Sequence, residues 1–449
     1  MGSVYRNSKL LRRSRVMWGS YRVWRPRLVF WAGALAIGAV SVGFAWLADE
    51  AQHLFHAART AGEWTWLLPV VLTPVGFVTC AFLALQVFPN AQGSGIPQAI
   101  AARHWRDPED RGRLLGLRVA FGKIALTVMG LLSGASIGRE GPTVQVGASI
   151  MLQAARWGGV EQARGLILAG SAAGIAAAFN TPLAGIVFAI EEMSRTYESR
   201  ANGAVLTAVI LAGLSALALN GNYTYFGDSE AVATDMAGWW TVIICGIGGG
   251  LLGAAFSAGA LRTLRRIKRW AQPEPRKRTL LLAGGCGLAV ALIGLVSGGT
   301  TFGTGYEQAR AAVEGTAPSP LFFIEKLAAT FISMMSGIPG GIFAPSLSVG
   351  AGFGSTVAAV TGASISLGAL VGMAGYFAGV VQAPMTAFVI ILEMSDSRES
   401  LLALMAASML GYVSARMISP EPLYHGLSRV FIADAIRQKR ASQRAPDGE

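Results

Sequence analysis

The sequence predicts an all-α, polytopic membrane protein built from two inverted-topology repeats of tilted and broken helices. Three observations predict it. The chain is 53% hydrophobic and only 14% charged, it contains several apolar runs of membrane-spanning length, and one pair of motifs occurs twice. Soluble domains carry about 25% charged residues, so this composition excludes a soluble protein. The net charge of +12 does not indicate a nucleic-acid partner, because the basic residues cluster beside apolar runs.

Several apolar runs are long enough to cross a bilayer, which takes about 20 residues. They are Leu28 to Ala48, Trp66 to Phe88, Ala201 to Leu219, Trp239 to Leu261, Thr279 to Val296 and Leu401 to Met417. Other apolar segments are interrupted by glycine and proline. The 57 glycines indicate closely packed helices, because small residues let helices approach in a membrane. Three cysteines within apolar runs and four scattered histidines indicate neither a disulfide framework nor a metal site.

Charge clusters predict the orientation of the chain. Basic residues are concentrated in residues 1–27, in the stretch from Arg262 to Arg278, and in the C-terminal tail. The positive-inside rule assigns all three clusters to the cytoplasm, where they would meet anionic membrane lipids. The segment from Asn220 to Ala237 contains acidic residues and no lysine or arginine, which predicts an external loop. The first half therefore crosses the membrane an odd number of times, and the second half is inverted.

These features divide the chain into five parts. We predict a basic cytoplasmic N-terminal segment (1–27), a first membrane repeat (28–220), an external linker (221–238), a second, inverted membrane repeat (239–417), and a C-terminal part (418–449). The last part would contain a pathway-lining helix and a cytoplasmic tail. Both termini are expected on the cytoplasmic side of the cytoplasmic (inner) membrane.

The repeat is visible as two stretches that recur at nearly one offset. "GASIGREGPTVQVGAS", starting at Gly134, aligns with "GIPGGIFAPSLSVGAG", starting 203 positions later at Gly337. "LAGSAAGIAAAFNTPLAGIVFAIEEM", starting at Leu168, aligns with the stretch starting 202 positions later at Leu370. Inverted repeats are typical of transporters and channels, whose substrate site lies near the bilayer midplane between the halves.

Three motifs predict helices that begin inside the membrane: "GSGIP" (Gly93 to Pro97), "GREGP" (Gly138 to Pro142) and "GGIFAP" (Gly340 to Pro345). Proline fits the first turn of a helix, and glycine lets backbone N–H groups face a ligand. Helix N-termini attract anions without a full positive charge, so binding stays weak enough for release. The alternative for each motif alone is a glycine kink for helix packing.

The three motifs in this order, with Tyr424 in "PEPLYHG", resemble the CLC family of chloride channels and chloride/proton antiporters from about residue 30 to residue 435. The resemblance implies a CLC-type fold, a homodimer with one anion pathway per subunit, and no cofactor or metal. The chain ends 25 residues after Tyr424, as in prokaryotic members without cytoplasmic regulatory domains.

The resemblance also implies an anion-binding site. The hydroxyls of Ser94 and Tyr424 and the main-chain N–H groups of Ile342 and Phe343 would coordinate a central anion. Backbone from Arg139 to Gly141 and from Ile342 to Ala344 would line an external site. A serine hydroxyl at position 94 goes with chloride preference in this family, and bromide and nitrate are expected to pass as well.

Glu140 matches the gating glutamate of "GREGP". An ionisable residue inside a membrane is a functional candidate by default. Its carboxylate would compete with an anion for the external site, and protonation would release it. The alternative is a structural ion pair with the adjacent Arg139. We expect Arg139 to pair elsewhere, with Asp396 as the candidate partner.

Glu192, the second glutamate of "EEM", matches the internal proton-transfer residue of the family's exchangers. The alternative is an ordinary charged helix end. Glu191 has a repeat counterpart in Glu393, which indicates a structural role for that pair. Retention of Glu192 favours a secondary-active chloride/proton antiporter. The alternative is a passive voltage- or pH-gated chloride channel on the same scaffold. An enzyme is not predicted, because no nucleophile–base pair or metal-ligand set is evident.

Lys123 lies inside the apolar run "VAFGKIALTVMGLLSG". A buried lysine needs a partner or loses its charge. Two roles are open from the sequence: electrostatic support of the anion pathway, or a structural pairing whose partner the sequence does not identify.

Overall fold

The computed structural model describes residues 21–105, 107–160, 163–194, 202–221 and 223–444. Most of the predicted basic N-terminal segment, residues 1–20, lies outside the described residues. The side chains of the predicted basic tail, Arg437, Lys439, Arg440 and Arg444, lie outside them too. Within the described ranges the regular structure is helical, with short 3₁₀ turns at Thr65–Leu67 and Arg398–Ser400.

The first half contributes nine of the described helices, and a π-helical turn, Ala189–Ser194, directly follows the eighth. They are α1 (Tyr21–Thr60), α2 (Pro69–Gln86), α3 (Ile96–His104), α4 (Pro108–Leu114), α5 (Leu117–Leu132), α6 (Glu140–Gly158), α7 (Ala163–Phe179), α8 (Pro182–Phe188) and α9 (Asn202–Asn220).

The second half contributes the other nine described helices. They are α10 (Met236–Ala271), α11 (Pro275–Val296), α12 (Tyr306–Val313), α13 (Phe322–Met335), α14 (Phe343–Thr361), α15 (Ile365–Val381), α16 (Pro384–Ser395), α17 (Leu401–Ile418) and α18 (Leu423–Arg444).

Eight helical stretches among the described residues are long and apolar enough to cross a membrane. The six predicted apolar runs fall in α1, α2, α9, α10, α11 and α17. The structure adds Pro108–Leu132 and Phe343–Thr361. Glycine, proline and charged residues interrupt the apolar pattern of these two stretches, so the sequence did not indicate them as membrane spans. Helix α1 has 40 residues and is therefore roughly 60 Å long. The hydrocarbon core is about 30 Å thick, so this helix must tilt or project beyond it.

The two halves repeat one another in backbone conformation as well as in sequence. Helices α6 and α14 begin 203 positions apart, and α7 and α15 end 202 positions apart. Equivalent residues adopt the same left-handed conformation, with φ of 57° at Asn180 and 58° at Gln382. Gly134 and Gly337 likewise have φ of 79° and 78°. These agreements extend the repeat from the sequence to the turns that connect its helices.

Glycine lets the helices within each half pack in close contact. A Cβ atom on Gly350 of α14 would lie 2.7 Å from the carbonyl oxygen of Gly372 on α15. The equivalent Gly147 on α6 packs even more closely against the carbonyl oxygen of Gly170 on α7. Because packing joins helices in a membrane, these contacts hold the α6–α7 and α14–α15 pairs together.

The halves meet through a reciprocal pair of backbone hydrogen bonds. The N–H of Gly138 donates to the carbonyl of Gly341 at 2.7 Å, and the N–H of Gly341 donates to the carbonyl of Gly138 at 2.7 Å. Equivalent residues that exchange the same contact are related by a local two-fold axis. The predicted all-α fold with two inverted repeats is confirmed, and this contact brings the N-termini of α6 and α14 to one place.

Candidate anion and proton pathway

The N-termini of α6 and α14 hold the predicted external site. Glu140 is the first residue of α6, and its side chain is completely buried. The carboxylate folds back beside Gly138 and faces the backbone N–H groups of Glu140 itself and of Ala344. Neither carboxylate oxygen completes a hydrogen bond to another described residue. The side chain therefore lies where an anion would meet the first turn of α14.

The predicted central site lies next to this carboxylate. Tyr424 is fully buried at the start of α18, and its hydroxyl approaches the Ser94 side chain. Gly141 lies against Ser94, so close that a Cβ atom there would come within 2.9 Å of the Ser94 carbonyl oxygen. The Phe343 ring stacks on the Tyr424 ring, with centroids 6.4 Å apart and planes at 15°.

The backbone contribution comes from the first turn of α14. Ile342 precedes this helix and Phe343 begins it. The first N–H groups of a helix have no acceptor within the helix, so those of Ile342 and Phe343 are available to an anion. Together with the Ser94 and Tyr424 hydroxyls they form a set of neutral donors. The structure therefore brings together all the residues predicted to bind the anions, with Arg139 at their outer edge.

Arg139 has a different partner from the one expected. Its guanidinium donates to an Asp49 carboxylate oxygen at 2.5 Å and to the Ala45 carbonyl at 2.7 Å. The expected pairing with Asp396 is wrong, because Asp396 pairs with the nearby Arg398 at 3.2 Å. The reason is tertiary: α1 packs on α6 and presents Asp49 directly to the guanidinium. Among the described residues Arg139 thus forms its ion pair with Asp49 and not with Glu140.

A cavity of 760 Å³ opens above Arg139. We call it the outer vestibule. Its lining includes Asp49, Arg139, Tyr223, Tyr225 and Tyr306. It joins the C-terminal part of α1 to the acidic linker, and it leads to the side chain next to Glu140. The vestibule thus reaches the residue that immediately precedes α6.

Lys123 binds backbone carbonyls. Its buried ammonium donates to the Gly93 carbonyl at 2.8 Å and to the Gln92 carbonyl at 3.3 Å. These carbonyls immediately precede Ser94, so the lysine holds the loop that carries the serine hydroxyl. Its partner, which the sequence did not identify, is main chain.

Lys326 is a matching residue that sequence reasoning missed. It is buried in α13, 203 positions after Lys123, and it donates to the carbonyls of Thr301 and Gly303 at 2.9 and 2.8 Å. The sequence contained a signal for Lys326, because its separation of 203 positions from Lys123 equals the offset of the "GREGP" repeat. Each half therefore uses one buried lysine to hold a glycine-rich turn.

Glu191 and Glu393 cap each other's helices. Glu191 accepts hydrogen bonds from the backbone N–H groups of Met385 at 3.1 Å and Thr386 at 2.6 Å. Glu393 accepts from those of Leu183 at 3.0 Å and Ala184 at 2.7 Å. Both carboxylates thus satisfy orphan donors in the first turn of the opposite half's helix. The structural role predicted for this pair is confirmed.

Glu192 lies in the π-helical turn and is completely buried. Arg103 of α3 holds this turn by donating to the Met193 carbonyl. The imidazole Nε2 of His425 lies 2.9 Å from the Glu192 carbonyl oxygen and 3.7 Å from its carboxylate oxygen Oε1. Sequence reasoning assigned His425 no role, although it directly follows Tyr424. Single π-helical turns occur frequently at functional sites.

The chain matches known proteins along most of its length. Residues 75–416 match the family model described as voltage gated chloride channel. The chain is 32% identical over 440 residues to the H(+)/Cl(-) exchange transporter ClcA of Salmonella gallinarum and to that of Salmonella typhi. Each alignment covers 94% of this chain and 88% of the relative.

Two solved structures are similar in fold. One is of a slow cyanobacterial Cl⁻/H⁺ antiporter, with a TM-score of 0.77 and 25% identity, covering 91% of this chain and 98% of that chain. The other is of a CLC-type fluoride/proton antiporter, with a TM-score of 0.76 and 24% identity, covering 91% of this chain and 99% of that chain.

Proposed function

Because the chain belongs to the voltage-gated chloride channel family, we propose that it is a secondary-active antiporter that exchanges chloride for protons. The observation that carries the proposal is a pair of fully buried glutamates, with Glu140 at the N-terminus of α6 and Glu192 in the π-helical turn. A passive anion path needs no carboxylate on its inner side. Relatives named exchange transporters support the same conclusion.

Chloride would bind through neutral donors. In the central site these are the hydroxyls of Ser94 and Tyr424 and the N–H groups of Ile342 and Phe343. The partial positive charge of the α14 N-terminus adds to them. No lysine or arginine of this set would contact the anion, so release stays fast enough for transport. Backbone dipoles discriminate weakly between similar anions, and we expect bromide and nitrate to be carried too.

Glu140 would couple the two substrates. As a carboxylate it occupies the place of an external anion, beside the N–H of Ala344. Protonation removes the charge, and the side chain then swings toward the outer vestibule and admits chloride. The same side chain thus alternates between displacing chloride and carrying a proton. Glu192 would supply or accept that proton from the opposite side of the membrane.

The orientation and assembly follow from the charge and exposure patterns. The C-terminal end of α10 and the start of α11 carry the basic cluster, which the positive-inside rule assigns to the cytoplasm. We place both termini there, with the outer vestibule outside, in the inner membrane.

Leu183 and Met385 occupy equivalent, largely exposed positions on the two halves. A second copy of this chain, surrounded by lipid, would cover that apolar face as a homodimer.

The test is uphill proton movement. The protein is reconstituted in liposomes loaded with chloride and diluted into low-chloride buffer, with valinomycin and potassium holding the voltage near zero. We expect chloride efflux to drive protons inward against an opposing pH gradient. Chloride efflux without proton uptake would establish the passive channel instead, with Glu140 acting only as a gate.

A further inference from the structure

A second cavity, of 610 Å³, lies at the start of α18, and we call it the inner cavity. Glu421 lines it and pairs with Arg265, which lies near the C-terminal end of α10. The acidic linker that lines the outer vestibule leads instead into the N-terminal end of α10. Helix α10 has 36 residues and spans roughly 54 Å. The two cavities therefore lie toward opposite ends of one membrane-crossing helix.

The Glu192 carboxylate does not reach the inner cavity itself. Its side chain has 0% exposure, and it is not among the residues that line the cavity. His425 is 19% exposed in its side chain and does line the cavity, while its Nε2 lies 3.7 Å from Glu192 Oε1. The imidazole thus borders the cavity while its Nε2 lies near the buried carboxylate.

We propose that His425 relays protons between the inner cavity and Glu192, a proposal that rests on the chloride/proton exchange proposed above. Water in the cavity protonates Nδ1 and forms the imidazolium. Nε2 then gives its proton to Glu192, which leaves a neutral imidazole and a carboxylic acid. Loss of the Nδ1 proton and return of a proton to Nε2 reset the ring. One proton moves in each cycle, and the reverse sequence carries it outward.

The geometry permits this transfer with a small movement. Nε2 now lies within hydrogen-bond distance of the Glu192 carbonyl oxygen, at 2.9 Å, so it carries the hydrogen. A rotation of the ring, or one bridging water, brings that hydrogen to Oε1. Imidazole suits a relay because its ordinary pKa is about 6.5, close to the working pH.

Charged and titratable groups surround the imidazole on each element packed against it. They are Glu192 on the π-helical turn, Arg103 and His104 on α3, Arg265, Lys268 and Arg269 on α10, Glu421 before α18, and Tyr424 and Arg429 on α18 itself. The carboxylate of Glu192 favours the imidazolium, and the arginines oppose it. Arg429 is compensated by its contact with Glu421 at 2.9 Å.

The experiment compares three variants with the wild type in liposomes: His425→Gln, His425→Ala and the control His104→Gln. His104 lines the same cavity, but its Nδ1 lies 2.8 Å from the Ile100 carbonyl oxygen. Proton and chloride fluxes are measured separately at several pH values. We expect both His425 variants to keep chloride flux and to lower the proton-to-chloride ratio by about tenfold or more. His104→Gln should match the wild type.

Two further readouts distinguish a proton-relay role of His425 from a purely structural role. The amide of His425→Gln still donates to the Glu192 carbonyl, so this variant keeps the contact and decides the question even if His425→Ala does not fold. Imidazole at equal concentration on both sides, also present in the wild-type control, should restore proton flux in His425→Ala alone.

The outcomes are distinct. Uphill proton movement by the wild type together with an unchanged ratio and pH profile in His425→Gln would overturn the relay alone. Failure of the wild type to move protons uphill would overturn the proposed exchange itself, whatever the variants do.

Discussion

The two halves of the molecule share a backbone and differ in the side chains that can hold a proton. Helices α6 and α14 begin with the same glycine–proline pattern and exchange hydrogen bonds at Gly138 and Gly341. The first half carries Glu140 and Glu192, and the equivalent positions of the second half carry Phe343 and Met394.

The comparison teaches that anion binding and proton transfer have different structural origins. Backbone N–H groups attract anions, and every helix start provides them, so a repeat supplies them twice. Proton transfer needs a titratable side chain. The half that carries an apolar residue at such a position therefore cannot transfer a proton there. Under the proposed function, the fold provides the anion path and two residues of one half provide the coupling.

The most severe change is Glu140→Ala, which makes the start of α6 resemble that of α14. We expect chloride flux to persist without pH dependence, because no tethered carboxylate competes for the site. Proton transport should fall to the background leak. Chloride and proton fluxes measured at several pH values check this. Retention of a steep pH dependence would assign the gate to another group.

Glu192→Gln removes the other titratable group and leaves the anion site intact. We expect chloride flux to continue and coupled proton flux to fall by about 10²-fold or more, the range of a lost proton-transfer group. The matched control is Met394→Leu at the equivalent position of the second half, which should keep coupling. Surviving proton coupling in Glu192→Gln would contradict the internal assignment.

Glu191→Gln and Glu393→Gln test the feature that the halves share. Each carboxylate accepts two backbone hydrogen bonds from the opposite half. We expect each variant to lower the free energy of unfolding by about 1–2 kcal/mol and to keep the flux ratio. Thermal melting of the purified protein, followed by flux measurements, checks both points. Glu191 also accepts a hydrogen bond from the Thr386 hydroxyl at 2.8 Å, so a larger destabilisation by Glu393→Gln than by Glu191→Gln would contradict this assignment.

The smallest effect is expected at the vestibule, where Asp49 places a negative charge beside Arg139. Asp49 is 52% exposed, and Arg139 keeps the Ala45 carbonyl as an acceptor when the aspartate is replaced, so we expect only a small loss of stability. Asp49→Asn removes a negative charge from the anion entrance, and we expect about a twofold gain in apparent chloride affinity at low salt. Asp396→Asn should change nothing. Equal responses of the two variants would contradict the Arg139–Asp49 assignment.

The sequence predicted the repeat, the broken helices and the convergence of the site with good accuracy. Proline fixes φ and is favoured in the first turn of a helix, so Pro97, Pro142 and Pro345 marked the starts of α3, α6 and α14. The equivalence of Glu191 and Glu393 was readable for another reason, which is that a local sequence pattern recurs at a constant offset.

Two of the failures share one cause, which is that the missing partner lies far away in the chain. Arg139 meets Asp49 across 90 positions, and His425 meets Glu192 across 233 positions. No local pattern encodes such a pairing. The Lys123 contacts were hidden differently, because a backbone carbonyl is available at every residue and leaves no compositional trace.

The exchanged hydrogen bonds between Gly138 and Gly341 have a consequence for biogenesis. Their two ends are 203 residues apart. At about 5–20 residues per second, the ribosome needs roughly 10 to 40 s to deliver the second glycine after the first. During that interval the N-terminus of α6 lies in the bilayer without its counterpart. A nascent chain interrupted before α14 would therefore contain both glutamates proposed to couple proton transport, Glu140 and Glu192, and no completed path for an anion.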